Sequence, residues 1–149
     1  TTPRKTDDDV WRPVREKLAQ LDIPILLEEK VVTSATDEIA FKHAWKNGKW
    51  HAYEPLSLDL AEADGIKDKA RRWRGHLAAV ADGARDELKL HFIVGAPQNP
   101  ALRPAYLSAL TILRQADFSP TVYEDSQVDD LVSEIEDEVR AHERAHPRN

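Results

Sequence analysis

The 149 residues contain no cysteine. That excludes a disulfide framework, a thiol nucleophile and a cysteine-held zinc. Glycine is scarce, and Gly48, Gly65, Gly75, Gly83 and Gly95 are all isolated. The chain therefore has no glycine-rich phosphate loop, nucleophile elbow or dinucleotide fingerprint. No apolar run approaches the ~18 residues of a membrane span, and the first residues do not resemble a signal peptide. A cytoplasmic protein with no membrane partner is the expectation. Thr1 at the start fits either removal of an initiator methionine or a piece of a longer chain. Positive charge is in deficit: the net charge of −6 argues against indiscriminate nucleic-acid binding, which runs on excess cation. The histidines are scattered with no H-E-x-x-H spacing, so no zinc is assigned.

A hydrophobic content of 41% and a charged content of 32% describe a globular chain. Without repeats, linkers or low-complexity stretches, residues 1–149 read as a single domain, with loose ends at 1–8 and 145–149. The strongest local signal is FKHAWKNGKWHAYEPLSLDL, residues 41–60. Asn47-Gly48 between two alternating runs predicts a hairpin with a two-residue turn and positive φ at Gly48. That register faces Lys46 with Lys49, Trp45 with Trp50, His43 with Ala52 and Phe41 with Glu54. One face then carries Phe41, His43, Trp45, Trp50, Ala52, Glu54, Leu56 and Leu58, with His43 and Glu54 as a polar pair in an apolar row. Lys42, Ala44, His51 and Tyr53 fall on the other, wetter face.

Helical spacing of Val10, Val14, Leu18 and Leu21 predicts a first helix beginning near Asp9. Residues 25–32 read as a strand. A second helix is expected over 66–84, a strand over 88–94, an apolar helix over 100–116, an edge strand over 120–123, and a final amphipathic helix capped by Ser126. The order αβββαβαβα predicts an α/β domain of three layers around a mixed sheet, antiparallel in its first half. The second helix is basic: Lys67, Lys69, Arg71, Arg72 and Arg74 stand against Asp68 alone. Arginine is the better phosphate fork, and Lys67, Arg71, Arg72 and Arg74 are candidate nucleic-acid contacts. Pairing of that face with the acidic segment 124–144 is the bland alternative.

The opening αβββαβ order, over about residues 8–95, resembles the core of the PD-(D/E)XK nuclease-like superfamily. The run F-x-x-A-W-x-N-G-x-W also resembles uncharacterised bacterial proteins. The nuclease resemblance implies an acid near the second strand, Glu-x-Lys on the third and sometimes an acid on helix one. There carboxylates hold Mg²⁺ and a lysine positions the nucleophile. Residue by residue, Glu54 matches the third-strand acid, Asp37 or Glu38 the other acid, and Glu16 the helix-one acid. Leu56 stands where lysine is required, leaving Lys42 or Lys69 as donors, with Lys42 expected on the face opposite Glu54.

Two functions follow. One is a degenerate, non-catalytic nuclease-like domain serving as an interaction module in a bacterial DNA-related or defence system, without cofactor, binding a protein partner or a second copy. The other is a Mg²⁺-dependent nuclease or nucleic-acid-binding domain using Glu54, Glu38, Asp37 and Lys42 with the basic helix. Burial of Trp45 and Trp50 discriminates scaffold from binding surface.

Overall fold

The computed structural model of the chain describes residues 3–23 and 25–146. Five strands form one mixed sheet, β1 (Glu28–Thr33), β2 (Glu38–Lys46), β3 (Trp50–Ser57), β4 (Leu88–Gly95) and β5 (Thr121–Glu124), in sequential order across the sheet. β1, β2 and β3 pair antiparallel, whereas β3, β4 and β5 pair parallel. Helices α2 (Ala63–Ala81) and α3 (Arg103–Arg114) supply the two parallel crossovers. Both cover the face that carries Phe41, Ala52, Leu56, Leu90, Phe92 and Val94. Helices α1 (Asp7–Ala19) and α4 (Val128–Ala145) cover the other face, over Trp45, Tyr53 and Ile93. The α/β class, the three layers and the element order agree with the sequence pattern.

Helix α1 starts earlier than expected. Thr6 Oγ1 accepts from the Asp9 N–H while the Asp9 carboxylate accepts from the Thr6 N–H, a reciprocal capping box. Pro13 consequently lies inside the helix rather than in its first turn, and its missing N–H forfeits one intrahelical bond. Residues 3–6, expected to be loose, are tied down. Lys5 N–H donates to Asp59, Ser57 Oγ donates to the Lys5 carbonyl, and Gln98 Nε2 donates to the Pro3 carbonyl. At the other end α4 runs to Ala145, and the His146 N–H bonds the His142 carbonyl. The remainder of the expected loose ends, 1–2 and 147–149, lies outside the described residues.

The hairpin differs by one residue. Lys46 pairs with Trp50, Trp45 with His51 and Ala44 with Ala52, so the loop is Asn47-Gly48-Lys49. The Asn47 N–H bonds the Lys49 carbonyl, and Gly48 has φ +103°. A bulge adds a second shift: β1 advances from Glu28 to Lys30 while β2 goes from Ala44 to Phe41. Phe41 and Ala44 therefore share the α2/α3 face, while His43 turns to α1 and stacks on Trp11 with centroids 4.1 Å apart. Trp45 is buried under α4, its ring edge-on to His142, and Trp50 lies on the other face beneath the ammonium groups of Lys30 and Lys46. The two tryptophans do not share a face.

Candidate functional site

Pairing between β2 and β3 ends at Ala44–Ala52. Beyond that point β2 continues along β1 to Glu38, and β3 continues along β4 to Ser57. The sheet is forked there, and Glu54 stands on β3 just inside the fork. By strand alternation it lies between Ala52 and Leu56 on the α2/α3 face.

The expected polar pair does not form. His43 is stacked on Trp11 across the sheet, which leaves Glu54 without it. No hydrogen bond holds the Glu54 carboxylate among the described residues. Burial first, and then Asp7, push its pKa up to about 7 against the opposing Lys42. Lys42, expected on the far face, is thus within electrostatic reach of Glu54, because the register and the bulge both differ from a plain two-residue hairpin.

Asp7 is the second acid here, and sequence reasoning missed it for Glu16, which is exposed further along α1. Asp7 Oδ1 accepts from the Ser57 N–H at 2.7 Å and from Lys69 Nζ at 3.1 Å. Lys69 Nζ also donates to the Ser57 carbonyl at 2.7 Å, fastening α2 to the end of β3. Asp37 and Glu38 are not brought to Glu54. They stand at the far end of β2, four to five residues from Lys42 and so roughly 13–17 Å up the strand. Asp37 Oδ2 lies 3.4 Å from His76 Nε2 on α2, and Glu38 pairs with Thr33. Leu56, at the position where a lysine would be needed, is buried at 1% exposure.

Next to the fork, the carboxyl ends of β3 and β4 are closed by a polar plug. Asp59 is buried and accepts from the Lys5 N–H, the Gln98 N–H and Gln98 Nε2. Burial raises its pKa, but these bonds outweigh it and hold the carboxyl below its ordinary value. Lys5 Nζ meets Asp125 Oδ2 at 2.6 Å.

A second polar cluster lies under α4, on the face expected to be wet. His51 Nδ1 and His91 Nε2 are 3.1 Å apart, His91 Nδ1 is 2.7 Å from Thr121 Oγ1, and His51 Nε2 is 3.1 Å from Asn47 Oδ1. With both rings neutral, one direction satisfies every atom. Thr121 donates to His91, His91 Nε2–H donates to His51, and His51 Nε2–H donates to Asn47. His51 stacks on Trp45 and His91 on Tyr53, whose hydroxyl accepts from Trp45 Nε1 at 2.9 Å. Burial pulls the pKa of His51 down to about 4 and that of His91 to about 3. Glu138 of α4 brings Oε2 to 3.2 Å from His51 Nε2, out of line for a hydrogen bond, and that oxygen is otherwise unpartnered. Burial, then Glu134 one turn earlier, push Glu138 up to about 7.

The basic face of α2 does not pair with the acidic C-terminal segment, because α4 lies on the opposite side of the sheet. Arg71 pairs with Asp68 at 2.8 Å and Arg74 Nη1 with Gln115 Oε1 at 3.1 Å. Arg72 is exposed and Lys67 half-buried, with no side-chain partner among the described residues.

Among the described residues no group of three or more histidine or acidic side chains is placed to hold a metal. Mg²⁺ at a phosphodiester site uses one or two carboxylates; here Asp7 is bonded to the Ser57 amide and the Lys69 ammonium, and of the two candidate lysines Lys42 is the one that acts on Glu54. No helix among the described residues is long and apolar enough to cross a membrane. No family model matches the chain, and neither the curated proteins nor the solved structures contain a match.

Proposed function

We propose that the chain is a nuclease-like domain that has lost its metal chemistry and serves as an interaction module. The observation that carries this reading is Leu56, buried where the phosphate-directed lysine of the third strand would stand. Hydrolysis of a phosphodiester by two-metal or one-metal routes needs the ion to activate water and to neutralise the leaving oxygen. Asp7 is already committed to Ser57 and Lys69, so it is a structural clamp in this reading. Exposed apolar side chains beside the β1 edge, Leu26 at 81% and Val31 at 41%, support contact with a protein partner or a second copy.

The test is direct. Plasmid DNA, single-stranded DNA and RNA should survive prolonged incubation with the wild-type protein in Mg²⁺ or Mn²⁺, and neither ion should raise its melting temperature. Metal-dependent cleavage that Glu54→Gln eliminates would overturn the reading.

Nucleic-acid binding without cleavage is a second reading. One observation favours it: the basic face of α2 points away from α4 and is not neutralised by the acidic segment. Reversal of Arg71, Arg72 and Arg74 to Glu should then abolish retention on nucleic acid and flatten its salt dependence. Absence of any retention by the wild type at low salt would end that version.

A further inference from the structure

We propose that the groove between α1, residues 21, 23, 25 and 27, and β2 binds an amphipathic carboxylate, a linear acyl chain with one anionic head. The groove encloses about 530 Å³, within the range of small-molecule sites. Its lining has two parts of different chemistry. Leu18, Leu21, Ile23, Ile25 and Leu27 supply aliphatic carbon. Asp8, Arg15 and Lys42 act on His43 and make with it the polar end, where Trp11 stacks on the His43 ring.

Charge decides the head group. Burial and the neighbouring Lys42 depress the pKa of His43, with Asp8 opposing and Arg15 adding to the depression. His43 is therefore neutral at pH 7, and the polar end holds two cations against one carboxylate. Its net charge of about +1 favours an anion, within a protein whose overall charge is −6. Arg15 and Lys42 offer fork and point-charge contacts to a carboxylate. The aliphatic wall lacks hydrogen-bonding side chains, so what enters beyond the head must be apolar. An unbranched chain suits a trough lined by flexible Leu and Ile. The other class that fits an open apolar trough, a partner's amphipathic helix, is an outcome of the same test.

The groove shares Lys42 with the fork, but binding of a carboxylate there does not depend on whether Glu54 takes part in cleavage. Calorimetric titration of the full chain with octanoate, decanoate and dodecanoate below their micellar concentrations should give one saturable site. Affinity should rise about two- to fourfold per added methylene, as expected for partial burial of each CH₂. Decanol and decyltrimethylammonium should bind at least about tenfold more weakly than decanoate. Arg15→Glu should weaken decanoate by about tenfold, while Arg114→Glu, the same charge change on exposed α3, should leave it unchanged. Circular dichroism checks that both variants fold, and Lys42→Gln provides an independent loss of one head-group cation. No saturable binding of decanoate at millimolar concentration overturns the proposal. So does equal affinity for decanol, or an Arg15→Glu variant that binds like the wild type. A peptide helix that occupies the groove while every carboxylate fails would replace the ligand with a protein partner.

Discussion

The Glu54 carboxylate is half-buried without a hydrogen-bonded partner, and its energetics follow from that. An unperturbed glutamate ionises near 4.5, whereas Glu54 in the fold ionises at about 7, first because of burial and then because of Asp7. The folded protein thus holds this proton more tightly than the unfolded chain. Stability from this residue is fully present below pH 4.5 and is lost as pH rises towards 7. Glu54→Gln removes the titration and keeps the shape. It should stabilise the protein at pH 8 by on the order of 1–2 kcal/mol, after allowance for partial solvent screening, and change little at pH 4. Denaturant midpoints at the two pH values measure this. A lower midpoint for the variant at pH 8 would mean that Glu54 accepts a stabilising hydrogen bond after all.

Elements were legible in the sequence where the pattern is local, and illegible where one residue shifts a register. The helices announce themselves through stripes such as Val128, Leu131, Val132, Ile135 and Val139, and those residues are buried. The strands announce themselves through alternation. The hairpin, however, rests on counting through Asn47-Gly48, and the loop takes Lys49 as well. With the bulge near His43, this moves His43 off the row of Glu54 and brings Lys42 within reach of it. The His51–His91 relay was missed for a related reason. A strand face reading His51, Tyr53, then His91 and Ile93 looks half wet until two helices are laid over it. The apolar stripe of α4 was the available signal, since it needs a sheet face to cover. Two glycines test the element level and separate strain from crowding. A Cβ at Gly48 would meet open space, so Gly48→Val should cost only the left-handed strain, about 1–2 kcal/mol. A Cβ at Gly83 would lie 1.9 Å from the Thr33 carbonyl oxygen, so Gly83→Ala must push the end of α2 away from β1. It should cost more, on the order of 2–4 kcal/mol. Thermal melts of the two variants rank them, and the reverse order would deny the close approach of α2 to β1.

At the scale of the whole molecule, groups on both faces of the sheet titrate in opposite directions. His51 and His91 are held neutral by burial, at about 4 and about 3, against about 6.5 in the unfolded chain. Their contribution is complete above pH 6.5 and is lost as pH falls towards 4 and 3. At pH 5 each withholds on the order of 2 kcal/mol. Glu54 and Glu138, both raised to about 7, work the other way. As pH falls from 7 towards 4.5 each regains on the order of 1–2 kcal/mol, discounted because Glu138 has a partly exposed side chain and is coupled to Glu134. Lys49 and Lys89 add to the depression of both histidines, and Glu134 adds to the elevation of Glu138. The wild-type stability profile should therefore be nearly flat between pH 7 and pH 5, although four buried or half-buried groups change charge in or near that window. Flatness by cancellation is separable from flatness by indifference. The double variant Glu54→Gln, Glu138→Gln removes the two acidic counterweights and leaves the histidines. Its stability should exceed that of the wild type at pH 8 and fall by on the order of 3–4 kcal/mol from pH 7 to pH 5. Urea unfolding across that range measures the slope. A double variant as flat as the wild type would mean that His51 and His91 titrate alike in the folded and unfolded chain, which their closed relay from Thr121 to Asn47 does not allow.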